Sequence, residues 1–306
     1  MKTSTAQDRL SQTLQRIDGA YSPSTIRAYR ADFSEYIEFA EQLGKVALPT
    51  DSLTVADFID YLMQRGQKSA SIGRSISGIS AIHSFNKEAD PTKDIEVKLA
   101  MRRMYRKIGR HQRQAQGINK DMLDQMLAVT EKDLRGERDR ALLLVAYDTL
   151  CRRSELLSLQ ISDISTKIFD KNSGTPSTAI FLRKSKTDQD ANGKWLRISE
   201  PASKALMSFL EHSQLETGLI FRGIRRGGKA TKQLNNSQVS RIFKKLARLA
   251  NFEESIVREI SGHSTRIGAA QDLLLSGASL PIIMNRGRWS KSDTVMRYVE
   301  QAGMPV

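Results

Sequence analysis

Apolar residues recur at helical spacing through most of the first third of the chain. Turn-forming residues, among them Gly44, Gly66 and Pro91, interrupt that spacing. Ser22-Pro23-Ser24 is typical of a helix start, because serine caps a helix well and proline fits its first turn. The pattern predicts a small domain with helices over residues 24–43, 54–65, 69–86 and 94–107.

Helical spacing returns in the second half of the chain. Residues 141–150 (ALLLVAYDTL) predict a buried helix, and residues 265–275 carry apolar positions at helical spacing up to Gly277. The residues Ser290 and Asp293 resemble a capping box. We therefore expect a last short helix over about residues 291–300, whose buried side carries Val295 and Val299.

A hairpin pattern interrupts these helices. Residues 181–195 (FLRKSKTDQDANGKW) hold a turn rich in Asp, Asn and Gly between two strand-like ends. Lys186 stands at the beginning of that turn and shares the hairpin with Arg183, Lys184 and Lys194. We expect strands near residues 177–183, 194–199 and 219–222. The expected fold class is therefore mainly α with a small antiparallel β-sheet.

A charged segment containing glycine, residues 107–119 (KIGRHQRQAQGIN), separates the two patterns. The 306 residues suffice for a hydrophobic core on each side of it. We predict an N-terminal helical domain over residues 1–108, a basic interdomain linker over residues 109–118 and a second domain over residues 119–306.

The net charge of +14 suits a polyanionic partner such as nucleic acid. Residues 98–113 contain seven cationic residues and no acidic one, so their repulsion would be relieved by phosphates. Four of the seven are spaced by four and make one positive helical stripe if the helix persists past Gly109. The seven are Lys98, Arg102, Arg103, Arg106, Lys107, Arg110 and Arg113.

Two further basic stretches lie in the second half. Residues 222–232 (RGIRRGGKATK) predict a glycine-rich loop, and residues 236–250 predict a helix with an exposed basic side. We expect this helix to approach DNA, where phosphate contacts would make the affinity salt-dependent. For the first basic stretch, residues 98–113, a solvated surface is the alternative. The exposed cations of the helix are Arg241, Lys244, Lys245 and Arg248.

Cysteine and histidine usage excludes several classes of protein. The single cysteine, Cys151, rules out an internal disulfide and a cysteine-based zinc cluster, and the four histidines have no metal-ligand spacing. We expect neither a metal nor a cofactor. No apolar run approaches the length of a membrane span. We expect a cytoplasmic protein, associated with the nucleoid in a prokaryotic or phage context.

The motif HSTR at residues 263–266, followed by Trp289 and Tyr298, contains the groups needed to hold and attack a phosphodiester. His263 and Arg266 lie three residues apart at a predicted helix start, so they should project to the same side. A guanidinium group donates paired hydrogen bonds to phosphate oxygens, and a phenol that loses its proton can attack phosphorus.

A second pair, Arg152 and Glu155, follows the apolar helix at the same spacing. Each candidate residue also has an ordinary structural interpretation. An Arg–Glu pair is typical of a solvated helix end, His263 of a helix start, and Trp289 or Tyr298 of core packing. The order and spacing of the whole set favour the functional interpretation.

Residues 261–298 (SGHSTRIGAAQDLLLSGASLPIIMNRGRWSKSDTVMRY) resemble the tyrosine recombinases of the phage integrase family. The similarity extends, more weakly, to residues 146–164 (AYDTLCRRSELLSLQISDI) and 97–107 (VKLAMRRMYRK), so it covers most of the chain. The resemblance implies a two-domain DNA clamp, in which a SAM-like core-binding domain precedes the recombinase catalytic domain.

The resemblance also implies a role for each candidate residue. Two guanidinium groups hold the scissile phosphate, a hairpin lysine protonates the leaving 5′ hydroxyl, and a supporting carboxylate lies beside them. In this sequence Arg152 and Arg266 are the clamps, Lys186 is the hairpin lysine, Glu155 is the carboxylate, His263 and Trp289 are further phosphate hydrogen-bond donors, and Tyr298 is the nucleophile.

The function that the resemblance implies is site-specific recombination through a 3′-phosphotyrosyl intermediate and a Holliday junction, without metal or ATP. A homotetramer would join two double-stranded DNA sites that each carry an inverted repeat. The alternatives are a strand transferase resembling a type IB topoisomerase or a telomere resolvase, and a noncatalytic DNA-binding relative. The complete residue set argues against the noncatalytic alternative.

The chain ends add two expectations. About twenty residues precede the predicted helical domain, which is too few for an arm-binding domain and favours a simple recombinase needing few accessory proteins. Eight residues follow Tyr298, whereas similar recombinases have a longer tail that packs into the neighbouring subunit. The oligomeric state without DNA is therefore left open.

Overall fold

The computed structural model of the protein describes residues 5–110, 114–169, 176–185 and 192–300. The chain divides into two compact units, Met1–Arg113 and Gln114–Val306. The exact domain and linker boundaries named above stay a prediction. Within the described ranges, no helix combines the length and the apolarity that crossing a membrane requires.

The described part of the first unit contains five α-helices and a short 3₁₀ helix, Pro91–Lys93. The second to fifth agree with the predicted helices to within two residues, but the first was missed. Its sequence is mostly polar, yet Leu10 and Leu14 lie one turn apart and are both buried in the core of the unit. The helices are α1 (Ala6–Arg16), α2 (Pro23–Gln42), α3 (Ser52–Gln64), α4 (Ser69–Phe85) and α5 (Ile95–Ile108).

Helix α5 ends at Ile108, because Gly109 adopts a left-handed backbone conformation with φ of 75°. The predicted helical stripe therefore stops at Arg106. Arg110 lies beyond the helix, and its guanidinium group sits 4.2 Å above the centre of the Tyr105 ring. The prediction of a stripe through Arg110 is wrong, because the condition that the helix continue past Gly109 is not met.

Helix α7 lies at the centre of the second unit. Its residues 141–146 are all buried, and it packs against α9, α12 and one edge of the sheet. The helices described in this unit are α6 (Lys120–Ala128), α7 (Leu134–Thr149), α8 (Arg153–Leu156), α9 (Glu200–Ser213), α10 (Asn236–Leu249), α11 (Glu254–Glu259), α12 (Ser264–Leu275), α13 (Leu280–Gly287) and α14 (Ser292–Val299).

The described sheet has three antiparallel strands in the order β1 (Ile164–Phe169), β2 (Pro176–Leu182) and β3 (Lys194–Arg197). Two of the predicted strands are present. The third, near residues 219–222, is wrong: Leu219 forms a single bridge with Gln160, and the buried Ile220 and Phe221 fill the core from a loop. Strand β1 takes its place. The fold class, mainly helical with a small antiparallel sheet, is confirmed.

The last helix, α14, forms where the hydrophobic spacing predicted it, but the predicted capping box is wrong. Lys291 is the N-cap residue of α14 and makes no side-chain capping bond there. The helix is held by tertiary packing instead, since Val295 is fully buried in a small cluster with Trp289, Ile283 and Ala270.

Candidate active site

Arg152 and Glu155 bond to each other at the junction between the end of α7 and the single-turn helix α8. Leu150 ends α7 in a left-handed conformation, with φ of 49°, and Arg152 is the N-cap of α8. The Glu155 carboxylate accepts a hydrogen bond from the Arg152 backbone N–H at 2.9 Å and from its Nη1 at 2.7 Å. Only 4% of the Glu155 side chain is exposed. The interpretation of this pair as a solvated surface pair is therefore wrong.

Arg266 is completely buried one turn into α12. Its Nη1 donates to the Leu150 carbonyl and its Nη2 to the Gly287 carbonyl. The guanidinium carbon lies 4.2 Å from the centre of the Trp289 ring. Nε of Arg266 is buried and has no hydrogen-bond partner within the described ranges. A buried donor of this kind carries a desolvation cost that an anionic ligand would offset.

Tyr298 belongs to α14, and its side chain lies in the same site as Trp289. Its phenol oxygen lies 3.0 Å from Nε2 of His263, the N-cap residue of α12. The Tyr298 ring also contacts Trp289, with 5.6 Å between ring centres. The side chain of Gln271 donates to the Tyr298 backbone carbonyl at 3.1 Å, which ties α14 to α12. The structure thus brings the phenol and the imidazole into hydrogen-bonding contact.

Trp289 is 7% exposed and its indole lies directly over the backbone of Gly287. A β-carbon at position 287 would lie 1.8 Å from Cζ3 of the indole, so only glycine fits. Gly287 thereby permits the close approach that places the indole between Arg266 and Tyr298.

The electrostatics of the site combine charged guanidinium groups with a neutral imidazole. Burial, followed by the charges of Arg266 and Arg152, lowers the pKa of His263 to about 4. Burial, followed by the charges of Arg152 and Arg288, lowers the pKa of Arg266 to about 10. At neutral pH His263 is therefore uncharged and Arg266 remains a cation. The Arg152 charge acts on both His263 and Arg266, so the three side chains lie close enough to interact electrostatically.

Burial by itself raises the pKa of Glu155, but the net shift is downward. Hydrogen bonds from the Arg152 backbone and side chain, together with the charges of Arg288 and Arg152, outweigh the effect of burial. The carboxylate is therefore an anion held among cations.

Arg288 was missed by sequence reasoning, although it lies beside the predicted Trp289. Only 8% of its side chain is exposed, and its Nη2 donates to the Glu155 carboxylate at 3.1 Å. No motif marks it, because an arginine in a basic chain carries little information until its partners are known. The only available signal was its place directly before Trp289.

Lys186 lies outside the described residues. Lys194, which shares its hairpin, donates through Nζ to the backbone carbonyl of Asn285 in α13 at 3.0 Å. Burial and the charge of Arg288 lower the pKa of Lys194. This hairpin lysine is therefore docked onto α13, in the same helix and loop region as Arg288.

The cationic residues predicted on α5 form an exposed face of that helix, opposite the buried Val97, Ala100 and Met104. This exposure is the property that a phosphate-binding surface requires. The exposed cations are Lys98, Arg102, Arg103, Arg106 and Lys107 on the helix and Arg110 after it.

On α10, Arg241 and Lys245 are exposed, but Lys244 is half-buried and donates to the Arg258 carbonyl at 2.8 Å. The prediction that Lys244 is exposed is wrong, because its side chain turns to the C-terminal end of α11. Arg248 forms two bonds to the Glu254 carboxylate. Arg241 and Lys245 line a cavity of about 550 Å³ that is rich in cations, and Arg135, Arg138 and Arg225 also line it.

Comparisons with known proteins agree with this geometry. Residues 116–303 match the phage integrase family, and residues 9–90 match the phage integrase N-terminal SAM-like domain. An integrase/recombinase XerD homologue of Selenomonas ruminantium is 29% identical over 310 residues, covering 97% of this chain and 87% of that protein. Recombinase Cre of Escherichia phage P1 is 27% identical over 267 residues, covering 82% and 76%.

Two solved structures share the fold. The XerH site-specific recombinase in a post-cleavage complex with its palindromic difH substrate has a TM-score of 0.69 at 14% identity, over 99% of this chain and 88% of that one. A lambda integrase tetramer bound to a Holliday junction has a TM-score of 0.66 at 14% identity, over 100% and 80%. The chain belongs to the phage integrase family and is a tyrosine-type site-specific recombinase.

Proposed function

We propose that this protein cuts and rejoins DNA through a 3′-phosphotyrosyl intermediate on Tyr298. The observation that carries the proposal is the 3.0 Å contact between the Tyr298 phenol and Nε2 of His263, inside a site that also holds Arg152 and Arg266. A nucleophile, a neutral proton acceptor and two cationic phosphate ligands are the groups that in-line attack on a phosphodiester requires.

In the proposed reaction Arg152 and Arg266 hold the nonbridging oxygens of the scissile phosphate. The Tyr298 oxygen attacks phosphorus and its proton passes to Nε2 of His263. The bond from phosphorus to the 5′ oxygen breaks, and that oxygen takes up a proton, for which we propose Lys186 as donor. Negative charge grows on the nonbridging oxygens, and the guanidinium groups stabilise it in a site that largely excludes water.

The second half of the proposed reaction reverses the first. A 5′ hydroxyl from a new strand attacks the phosphotyrosine, and Tyr298 leaves as a phenol. The covalent intermediate keeps a phosphoester bond in place of the one broken, so rejoining draws on no ATP. In this scheme protein side chains donate and accept the protons, and guanidinium groups supply the positive charge that stabilises the phosphate.

The basic surfaces supply the proposed contacts to the DNA backbone. The exposed cations of α5 lie in the first unit, and Arg241 and Lys245 lie in the second. Phosphate contacts of this kind position a duplex without reading its sequence. The clamp arrangement around the duplex stays a prediction.

For the assembly we propose a homotetramer that joins two inverted-repeat sites and passes through a Holliday junction. The support is the fold shared with the lambda integrase tetramer bound to a Holliday junction, together with the sequence similarity to recombinase Cre. A related strand transferase that only relaxes or resolves DNA would share the cleavage chemistry but would give no reciprocal products from two sites.

A nicked suicide substrate tests the cleavage step, because loss of a short 5′ fragment traps protein on DNA. The trapped species should be absent for Tyr298→Phe, which keeps the ring but lacks the nucleophilic oxygen, and present for the control Tyr21→Phe in the first unit. A covalent adduct formed by Tyr298→Phe would show that another residue is the nucleophile. Reciprocal products from two sites would separate recombination from relaxation.

A further inference from the structure

Arg288 occupies a backbone conformation that favours glycine. It follows α13 with φ of 56°, in the left-handed region that side chains with a β-carbon rarely adopt. A long charged residue in that conformation is strained, and such strain persists only where surrounding contacts hold it. The Arg288 side chain makes contacts of this kind.

The Arg288 side chain, which follows α13, bonds to residues at the end of α7 and in α8. Nη1 of Arg288 donates to the Thr149 carbonyl at 3.0 Å, and Nη2 donates to the Leu150 carbonyl and to the Glu155 carboxylate, each at 3.1 Å. Arg288 thus bridges the end of α7 and the single turn of α8. The Leu150 carbonyl is also an acceptor for Arg266, so both arginines are held by the same backbone oxygen.

Glu155 lies between two guanidinium groups. Its Oε1 accepts from Arg152, while its Oε2 accepts from the Arg152 backbone and from Arg288. Removing Arg288 would leave Oε2 with the Arg152 backbone N–H as its donor, and Arg152 would be the one guanidinium group still bonded to the carboxylate. The rotation of the carboxylate, and with it the direction of the Arg152 guanidinium, depends on both bonds.

The charges in the site also support a role for Arg288 beside Glu155. Three guanidinium groups, those of Arg152, Arg266 and Arg288, surround one carboxylate, so the site is cationic in excess. The Arg288 charge disfavours the charged form of Arg266, so it opposes the stability of the unliganded site. The same charge favours the ionised form of Glu155, to which Arg288 is bonded.

We infer that Arg288 is a positioning residue for cleavage: it fixes the Glu155 carboxylate, and Glu155 in turn aims the Arg152 guanidinium at the scissile phosphate. This inference rests on the proposed function. Arg288 bonds the Glu155 carboxylate directly, and its bonds to the Thr149 and Leu150 carbonyls hold it there, so we assign its effect on cleavage to Glu155.

The variant Arg288→Gly removes the guanidinium while its backbone suits the left-handed conformation. We expect it to bind DNA with nearly wild-type affinity and to form the covalent adduct about ten- to a hundredfold more slowly, the range seen for groups that orient metal ligands. The measurement is single-turnover cleavage of the suicide substrate. Arg286→Ala, which removes an exposed charge two residues away, is the control.

The pH dependence distinguishes a role through Glu155 from a general loss of structure. Without the Arg288 charge the Glu155 carboxylate protonates at higher pH. The acidic limb of the cleavage profile depends on Glu155 and also on the proton acceptor His263, whose pKa the Glu155 charge raises. Because Arg288 bonds Glu155, the limb should move to higher pH in Arg288→Gly and stay in place in Arg286→Ala. An unmoved limb would overturn the inference.

A double variant completes the test. In a Glu155→Gln background, Arg288→Gly should cause little further loss of cleavage rate, because the carboxylate through which it acts is gone. If the two losses multiply, Arg288 acts independently of Glu155 and the inference is wrong. If the wild type forms no adduct at all, the proposed function itself fails, so the two failures are distinguishable.

Discussion

Nε2 of His263 and the phenol oxygen of Tyr298 lie 3.0 Å apart, although 35 positions separate the two residues in the chain. The contact depends on α14 returning to the start of α12, where Gln271 and the buried Val295 hold it. Because the imidazole is neutral at physiological pH, it can accept the phenol proton.

His263 should make the folded protein sensitive to mild acid. Its pKa is about 4 when folded, because of burial and the charges of Arg266 and Arg152, whereas an unfolded histidine titrates near pH 6.5. The unfolded chain therefore binds more protons in this window, and stability is lost as the pH falls from about 6.5 towards 4. Thermal melts across that window should show a larger loss for the wild type than for His263→Gln. Parallel losses would mean that the imidazole is not buried in its neutral form.

Arg266→Lys should abolish most of the cleavage while preserving positive charge. Lysine lacks the planar guanidinium group, which bonds two backbone carbonyls and would also bond the phosphate. It also lacks a flat surface that could stack on the Trp289 ring. We expect a loss of about 10²- to 10³-fold in the single-turnover rate, the size found on removing one oxyanion donor. The exposed Arg258→Lys is the matched control. An Arg266→Lys variant as fast as this control would show that charge alone suffices.

Gly287→Ala should damage the site through packing. The added β-carbon would lie 1.8 Å from the Trp289 indole, so the ring or the end of α13 must move. We expect a loss of about 1–3 kcal/mol in the free energy of unfolding, as for other overpacked positions, together with slower cleavage. Thermal or denaturant unfolding measures the first effect.

Gly78→Ala is the matched control for that experiment. Gly78 also lies in a helix, α4, but an added β-carbon there would meet Asp32 at an ordinary 3.6 Å. Because alanine favours a helix over glycine, this variant should be as stable as the wild type or more so. If both alanine variants behave alike, the close approach of Trp289 to Gly287 is not what excludes a β-carbon.

Arg241→Ala should weaken DNA binding without slowing cleavage by the bound protein. Arg241 is exposed and lines the cationic cavity, so we expect it to meet one backbone phosphate. Its loss should reduce the slope of log affinity against log salt by about one. Arg248→Ala should have a smaller effect, because Arg248 is already paired with Glu254. Equal effects of the two variants would argue against a specific role for the cavity.

The helices of the first unit were predictable because their buried faces repeat with the period of the helix. Helix α1 was not, since a polar sequence with two leucines one turn apart becomes a helix only when a core covers those leucines. The short, buried apolar segment at Ile220 and Phe221 was wrongly predicted as a strand. A buried loop and a buried strand have the same local composition.

The identity and order of the candidate catalytic groups were determined by the sequence alone, because the spacing from His263 through Arg266 and Trp289 to Tyr298 is a local property of the chain. The tertiary structure decided which of these groups meet. It buried Glu155, gave it a second guanidinium partner in Arg288, and set the neutral state of His263 by burial and by the charges of Arg266 and Arg152. Burial and electrostatic environment depend on neighbours that come together only in the folded chain, so the spacing of residues along the sequence does not predict them.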